Sequence, residues 1–135
     1  MRINVLDFTE YPGPRYQRQG TASGEEFYIC VLNPTFAECY KKNEELEVNL
    51  DGTAGYPSSF LDEAFGELVY DFTEAIVESL LRIKTKRFIR HLGMIQNETF
   101  PQWEKKRIEK SIVVRTINNK SIYYLDGKEL KQKQV

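Results

Sequence analysis

Two adjacent serines give this chain its clearest candidate for covalent chemistry. Ser58 and Ser59 follow a turn-rich segment that ends in Tyr56-Pro57, a placement that favours a nucleophile between a strand and a helix. The residues around them do not form the G-x-S-x-G pattern of a nucleophile elbow, and His91 is the single imidazole of the chain. We therefore expect no hydrolase activity, no catalytic residues and a protein that is not an enzyme.

Carboxylates surround these serines. Asp51 precedes them, and Asp62 and Glu63 follow within about one helical turn. Paired carboxylates can transfer protons or bind Mg²⁺. Acidic residues at a strand end and in a first helical turn are more often solvated, so the prediction is structural, with Ser59 and Asp62 forming a capping box.

Basic residues form a second candidate site, in the later part of the chain. Aromatic side chains, Phe88 and Trp103, are interleaved with them, as in surfaces that bind phosphate or nucleic acid. No helix-turn-helix, zinc-finger or RNA-binding signature accompanies them. The candidate contacts are Lys84, Lys86, Arg87, Arg90, Lys105, Lys106, Arg107 and Lys110.

The charge of the chain is divided between two halves. The net charge is −1, yet residues 1–81 hold 15 acidic and five basic residues, and residues 82–135 hold five acidic and 14 basic ones. The basic half either pairs with the acidic half, within one chain or between chains, or binds an acidic partner such as nucleic acid. Pairing is the favoured interpretation.

Several classes of site are not expected. Cys30, Cys39 and His91 have no metal-ligand spacing, so neither a metal nor a cofactor is predicted. No stretch approaches the roughly 18–20 apolar residues of a membrane span, and the first residues do not resemble a signal peptide. The protein is expected to be cytoplasmic, with no membrane partner, and the sequence leaves its oligomeric state open.

Three elements are predicted in the first half of the chain. Alternation predicts strands over 2–8 and Leu46–Asp51. A capping box at Ser23 and Glu26 opens a helix over 24–43, kinked at Pro34, with a strand over 27–32 as the alternative.

The elements that follow are predicted from apolar periodicity and further capping patterns. An apolar stripe at helical spacing runs from Leu61 to Phe72, which predicts a core helix. The rest are a helix over Thr73–Leu81, a strand near 88–95, a helix from Thr99 to about Lys110 with Phe100, Trp103 and Ile108 inward, and a hairpin pairing Ile112–Ile117 with Ser121–Leu125. A capping box of Thr99 with Gln102 opens the helix that begins at Thr99.

This order of elements indicates an α/β sandwich: a mixed β-sheet with helices packed mainly on one face, plus a C-terminal β-hairpin. The length of 135 residues indicates one domain. We assign the main domain to 1–110, its hairpin extension to 111–127 and a flexible tail to 128–135.

Two segments resemble a known family. They run from Gly20 to Phe27 and from Asp51 to Val69, and the core Ser-Ser-Phe-Leu-Asp-Glu-Ala-Phe-Gly is the most specific part. The chain resembles, over roughly 2–75, the STAS-like family of unknown function, small α/β domains related in shape to anti-sigma-factor antagonists.

The resemblance implies a non-enzymatic, regulatory protein-interaction domain of bacterial type. Members of the wider STAS superfamily dock on a histidine-kinase-like ATPase, and phosphorylation of a serine at a helix start undocks them. Ser58 and Ser59 lie at that place and are the candidate phosphosites. The predicted partner-binding residues are Tyr56, Ser58, Ser59, Phe60, Asp62 and Glu63. The alternative function is a nucleic-acid-associated protein that uses the basic half.

Overall fold

The computed structural model describes all 135 residues. Its main sheet has three parallel strands, with β2 in the middle: β1 (Arg2–Asn4), β2 (Leu46–Asn49) and β3 (Leu81–Lys84). Ile3 pairs with Val48, which pairs with Ile83, so the apolar side chains share one face. The residues that alternate with these along each strand, such as the paired Arg2 and Glu47, lie on the opposite, polar face.

Helices make both connections between the strands, which is why the sheet is parallel rather than mixed as predicted. The first connection contains α1 (Val5–Phe8), a 3-10 turn (Gln17–Gln19), α2 (Gly24–Phe27), a π-helical turn (Tyr28–Leu32) and α3 (Asn33–Lys42). The second contains α4 (Ser58–Phe72) and α5 (Glu74–Leu80).

A further helical run follows β3, with α6 (Ile89–Met94), a π-helical turn (Ile95–Thr99) and α7 (Phe100–Ile108). The strand predicted near 88–95 is therefore wrong, and the strand lies at β3 instead. Asp51 explains the difference, because its carboxylate accepts hydrogen bonds from the Thr85 hydroxyl and from the amides of Lys86 and Arg87. Thr85 in turn accepts from the amide of Phe88, and the chain turns into a helix there.

Both π-helical turns end next to a proline. The amide of Asn33 donates to the Tyr28 carbonyl, and the amide of Phe100 donates to the Ile95 carbonyl, one residue farther back than in an α-helix. Pro34 and Pro101 follow directly, and a proline has no amide hydrogen and crowds the carbonyl four residues earlier. The wider turn accommodates that ring, so the predicted kink at Pro34 is a π-helical turn inside a continuous helix.

The last part of the chain differs from its prediction. β4 (Ser121–Asp126) and β5 (Glu129–Gln134) form an antiparallel hairpin around Gly127, where the backbone needs a positive φ of 65°. Residues 112–117, predicted as a strand, have no regular secondary structure, and the expected flexible tail 128–135 is largely β5. The hairpin packs on α3 and α4.

A single apolar core of 29 residues is centred on α4, whose predicted stripe from Leu61 to Phe72 is buried. Phe100 and Trp103 of α7 join this core, whereas Ile108, predicted to face inward, is 64% exposed. None of the helices is long and apolar enough to cross a membrane.

Candidate functional site

The first turn of α4 carries the candidate serines. The helix begins after Pro57, which has extended backbone angles and makes no side-chain capping bond. Ser58 is exposed and Ser59 half-buried, at the first two helical positions. The predicted cap by Ser59 is therefore wrong, because Ser59 is the second residue of the helix and the capping position before the helix is occupied by Pro57.

Asp62 has a tertiary role where a capping role was predicted. One of its carboxylate oxygens accepts hydrogen bonds from the Thr99 hydroxyl at 3.0 Å and from the Trp103 indole at 3.3 Å. The other oxygen pairs with the Arg15 guanidinium at 2.8 Å. Thr99 was also predicted to cap a helix, yet it lies within a continuous helical run and binds Asp62 instead. Asp62 thus joins α4, α7 and the loop before α2.

A polar cleft of about 220 Å³ opens beside these residues, between the start of α4 and the helical run that leads into α7. Ser58, Ser59, Asp62 and Arg15 line one side of it. The opposite side consists of Met94, Glu98, Thr99 and Gln102. The cleft could hold a small polar group, but Arg15 is already bound to Asp62 and Glu63.

The structure separates the predicted partner-binding residues into exposed and buried ones. Phe60 and Glu63 are buried, at 0% and 1% exposure, and Tyr56 is 9% exposed with its hydroxyl donating to the Leu50 carbonyl. Burial of that hydroxyl raises the pKa of Tyr56 to about 12. Only Ser58, Ser59 and part of Asp62 are accessible to a partner in this conformation.

Acidic side chains one turn apart form a buried line along α4. We call Glu63, Glu67 and Asp71 the α4 stripe; all three are at most 4% exposed. Arg15 contacts Glu63 at 3.1 Å, and Arg115 contacts Glu67 at 2.8 Å and Asp71 at 3.2 Å. The Tyr28 hydroxyl also donates to Asp71.

Negative charge exceeds positive charge around the stripe. The two guanidinium groups of Arg15 and Arg115 contact four carboxyl groups, those of Asp62 and the stripe. Burial, and then a hydrogen bond with Glu63, raises the pKa of Glu67 well above its usual range despite Arg115. Burial also raises the pKa of Asp71, against the opposing effect of Arg115. A proton held by Glu67 relieves the excess of negative charge.

Residues 111–117, here called the strap, cover the stripe. The Arg115 guanidinium donates hydrogen bonds to Glu67 and Asp71. The amide and the hydroxyl of Thr116 both donate hydrogen bonds to the carboxylate of Glu25, at the start of α2. Arg115 and the stripe were missed by the sequence analysis. The spacing of Glu63, Glu67 and Asp71 by four positions is the signal that could have identified the stripe.

Four of the eight predicted basic contacts are engaged within the chain. Arg87 donates to the Thr53 carbonyl, Arg107 pairs with Glu104, Lys105 pairs with Glu109, and Lys106 stacks over Trp103. Lys84, Lys86, Arg90 and Lys110 are exposed and form no ion pair. No group of three or more His, Cys, Asp and Glu side chains is arranged to hold a metal ion.

Comparison with protein families gives one match, to the segment that contains α2 to β3. Residues 23–85 match the model of a STAS-like domain of unknown function. The predicted resemblance to this family is therefore confirmed. The matched segment begins and ends later than the predicted region, roughly 2–75, and it leaves out α7, the strap and the hairpin.

The STAS-like segment includes the start of α4 and the whole α4 stripe. The observed mixture of helices and small sheets is consistent with a STAS-like fold. Searches among characterised proteins and among solved structures found no match to this chain.

Proposed function

We propose that this protein is a non-enzymatic regulatory interaction domain, a STAS-like sandwich that docks on another protein through the start of α4. The observation that carries the proposal is the accessibility of Ser58 and Ser59 in the first turn of α4, within the family-matched segment. Ser58 and Ser59 stand there beside a polar cleft, on a helix fixed to its neighbours by Asp62. A rigid helix start with accessible hydroxyls suits a docking surface whose geometry must be reproducible.

The partner class follows from the family resemblance: a histidine-kinase-like ATPase in the cytoplasm. Ser58 and Ser59 would control docking, since a phosphate adds almost two negative charges to the contact. A helix N-terminus stabilises such a charge through its free amides and dipole. Arg15 is the one guanidinium that lines the cleft. Nothing in the geometry favours the nucleic-acid alternative.

The test is affinity purification from the native cell with the full chain as bait, read by quantitative mass spectrometry. The native chain is expected to retain an ATPase that Ser59→Glu loses at least tenfold. Ser121→Glu is the matched control, because Ser121 is also exposed but lies at the start of β4. The proposal is wrong if Ser59→Glu, folded by circular dichroism, retains the same proteins as the native chain.

A further inference from the structure

The strap lies over α4 as an extended segment whose side chains alternate. Ile112 is 94% exposed and Val114 45% exposed, whereas Ile117 is 5% exposed. Val113 packs against the core, and Arg115 reaches the stripe. This is the period of two expected for an extended chain, with Val113, Arg115 and Ile117 on the inner side.

Side chains hold the strap in place. Residues 112–118 form no backbone-to-backbone hydrogen bond with any other part of the molecule. The polar contacts of its centre are the bonds of Arg115 to the stripe, those of Thr116 to Glu25, and the bond that the Thr116 hydroxyl accepts from the amide of Arg18. Such a segment can detach without breaking a sheet or a helix.

The strap leaves some carboxylate oxygens of the groove beneath it without a hydrogen-bond donor. Arg115 uses Oε1 of Glu67 and Oδ2 of Asp71. Oε2 of Glu63 and Oε2 of Glu67 are buried and accept no hydrogen bond from any other residue, apart from the proton that the two carboxyl groups share when Glu67 is protonated. The strap therefore supplies one cation, Arg115, while these two carboxylate oxygens in the floor of the groove receive no donor from it.

The spacing of the strap and α4 shows where a second basic side chain of an extended segment would lie. Val113 lies two residues before Arg115 on the same side of the strap, and it lines a small cavity together with Glu63 and Arg15. Two residues of an extended chain span about 6.6 Å, close to the roughly 6 Å that separates residues four apart on a helix. A basic side chain at the Val113 position would meet Glu63 when Arg115 meets Glu67 and Asp71.

We propose that the groove over the α4 stripe is a recognition site for an extended peptide segment with Arg or Lys at alternate positions, supplied by a partner protein. The strap fills this site as an intramolecular substitute and is displaced by such a segment. The stripe lies inside the family-matched residues and the strap outside them, so the site belongs to the common domain and its occupant is an addition. This site contains neither Ser58 nor Ser59, although Arg15 and Asp62 border both this site and the docking surface at the start of α4.

The raised pKa of Glu67 fits the same site. A second cation beside Glu63 and Glu67 stabilises both carboxylates in their charged form, so binding of the segment lowers the pKa of Glu67. A purely apolar contact would lack this effect on the pKa.

The experiment measures binding of a fluorescent peptide containing Arg-Val-Arg to the full chain by anisotropy. Arg115→Ala, which empties the groove of its cation, is expected to bind the peptide at least tenfold more tightly than the native chain. Val113→Arg, which supplies the missing cation within the chain, is expected to bind it at least tenfold more weakly. Lys110→Ala is the matched control, because Lys110 is exposed and unpaired, and it should bind like the native chain.

A second measurement does not depend on the folding of any variant. Adding the peptide to the native chain is expected to speed hydrogen exchange at the strap amides, including the amide of Thr116. The proposal is overturned if exchange there is unchanged at saturating peptide, or if a peptide with the same charge but adjacent arginines binds equally well. Ser59→Glu should leave peptide binding unchanged. A failure of the peptide site is therefore distinguishable from a failure of the proposed docking surface.

Discussion

Glu67 is the residue at which burial and charge conflict most strongly. It is fully buried, it shares Arg115 with Asp71, and it lies one turn from Glu63. The free-energy cost of burying the charged carboxylate exceeds the stabilisation from a guanidinium that it shares with Asp71, so the pKa of Glu67 is raised. The raised pKa of Asp71 has the same leading cause.

These shifts predict that the protein becomes less stable as the pH rises. In the unfolded chain the two groups ionise near pH 4, so between that value and their raised folded pKa values the folded state binds more protons. The free energy of unfolding should therefore fall as the pH rises above about 4 and through the raised pKa values of the two groups, as measured by urea denaturation. Asp51 and Glu104 have lowered pKa values, so their contribution is lost below about pH 4.

Glu67→Gln should flatten this pH dependence, because the amide keeps the shape of the side chain and cannot ionise. Arg15, Arg115, Glu63, Asp71 and Tyr28 all surround the group and remain in the variant. Glu109→Gln, at the exposed residue that directly follows α7, should leave the slope as it is. An equal slope in native protein and Glu67→Gln would show that Glu67 holds no excess proton.

At the scale of elements, the contact between α4 and α7 depends on a glycine. A Cβ atom on Gly66 would lie 2.2 Å from the Trp103 indole, far inside van der Waals contact. The indole is in turn fixed by its hydrogen bond to Asp62. Gly66 is thus required for the close approach of two helices rather than for an unusual backbone angle.

Gly66→Ala is expected to destabilise the protein by about 1–3 kcal/mol, although alanine favours a helix. The added methyl must displace Trp103 and weaken its bond to Asp62. Gly93→Ala is the matched control, because Gly93 also lies in a helix, α6, with nothing within 4 Å of its added Cβ. That variant should gain about 0.5–1 kcal/mol. Chemical denaturation measures both, and a stabilised Gly66→Ala would contradict the packing described.

At the scale of the whole molecule, ion pairs connect the basic half of the chain to its acidic half in two places. Arg82 pairs with Glu45, and Arg115 pairs with Glu67 and Asp71; each joins the basic half to the acidic half. The remaining ion pairs lie within one half, as for Arg15 with Asp62 and Lys131 with Asp126. Twelve of the 14 basic residues in 82–135 therefore form no ion pair with the acidic half.

The two connecting arginines should differ in their effect on stability. Arg115→Met leaves buried carboxylates without a partner and is expected to cost about 3–5 kcal/mol. Arg82→Met removes a pair in which the side chains are 40% and 61% exposed, at a cost of about 1 kcal/mol or less. Thermal denaturation in low and high salt separates them, since salt screens the exposed pair more strongly. Equal costs would show that burial of the stripe contributes little.

Local patterns in the sequence predicted the elements whose signal is contained in one segment. The helix from 24 to 43, β2 and the buried stripe from Leu61 to Phe72 were identified correctly, because apolar periodicity depends on near neighbours. The cap at Ser23 was also correct, since its hydroxyl accepts from the amide of Glu26 within the same turn. β3 was missed because Leu81–Lys84 is a strand only in register with β2.

The sequence alone determined an acidic segment, a basic segment, a STAS-like helix start with two serines, and one apolar core. Tertiary structure decided which polar groups are used and where. Asp62 and Thr99, each with the pattern of a helix cap, bind each other across 37 positions. The strap, with the pattern of a strand, supplies an arginine to a buried stripe 44 to 48 positions away. Local propensities differ by about 1 kcal/mol or less, whereas an unpaired buried charge costs several, so the long-range partner prevails.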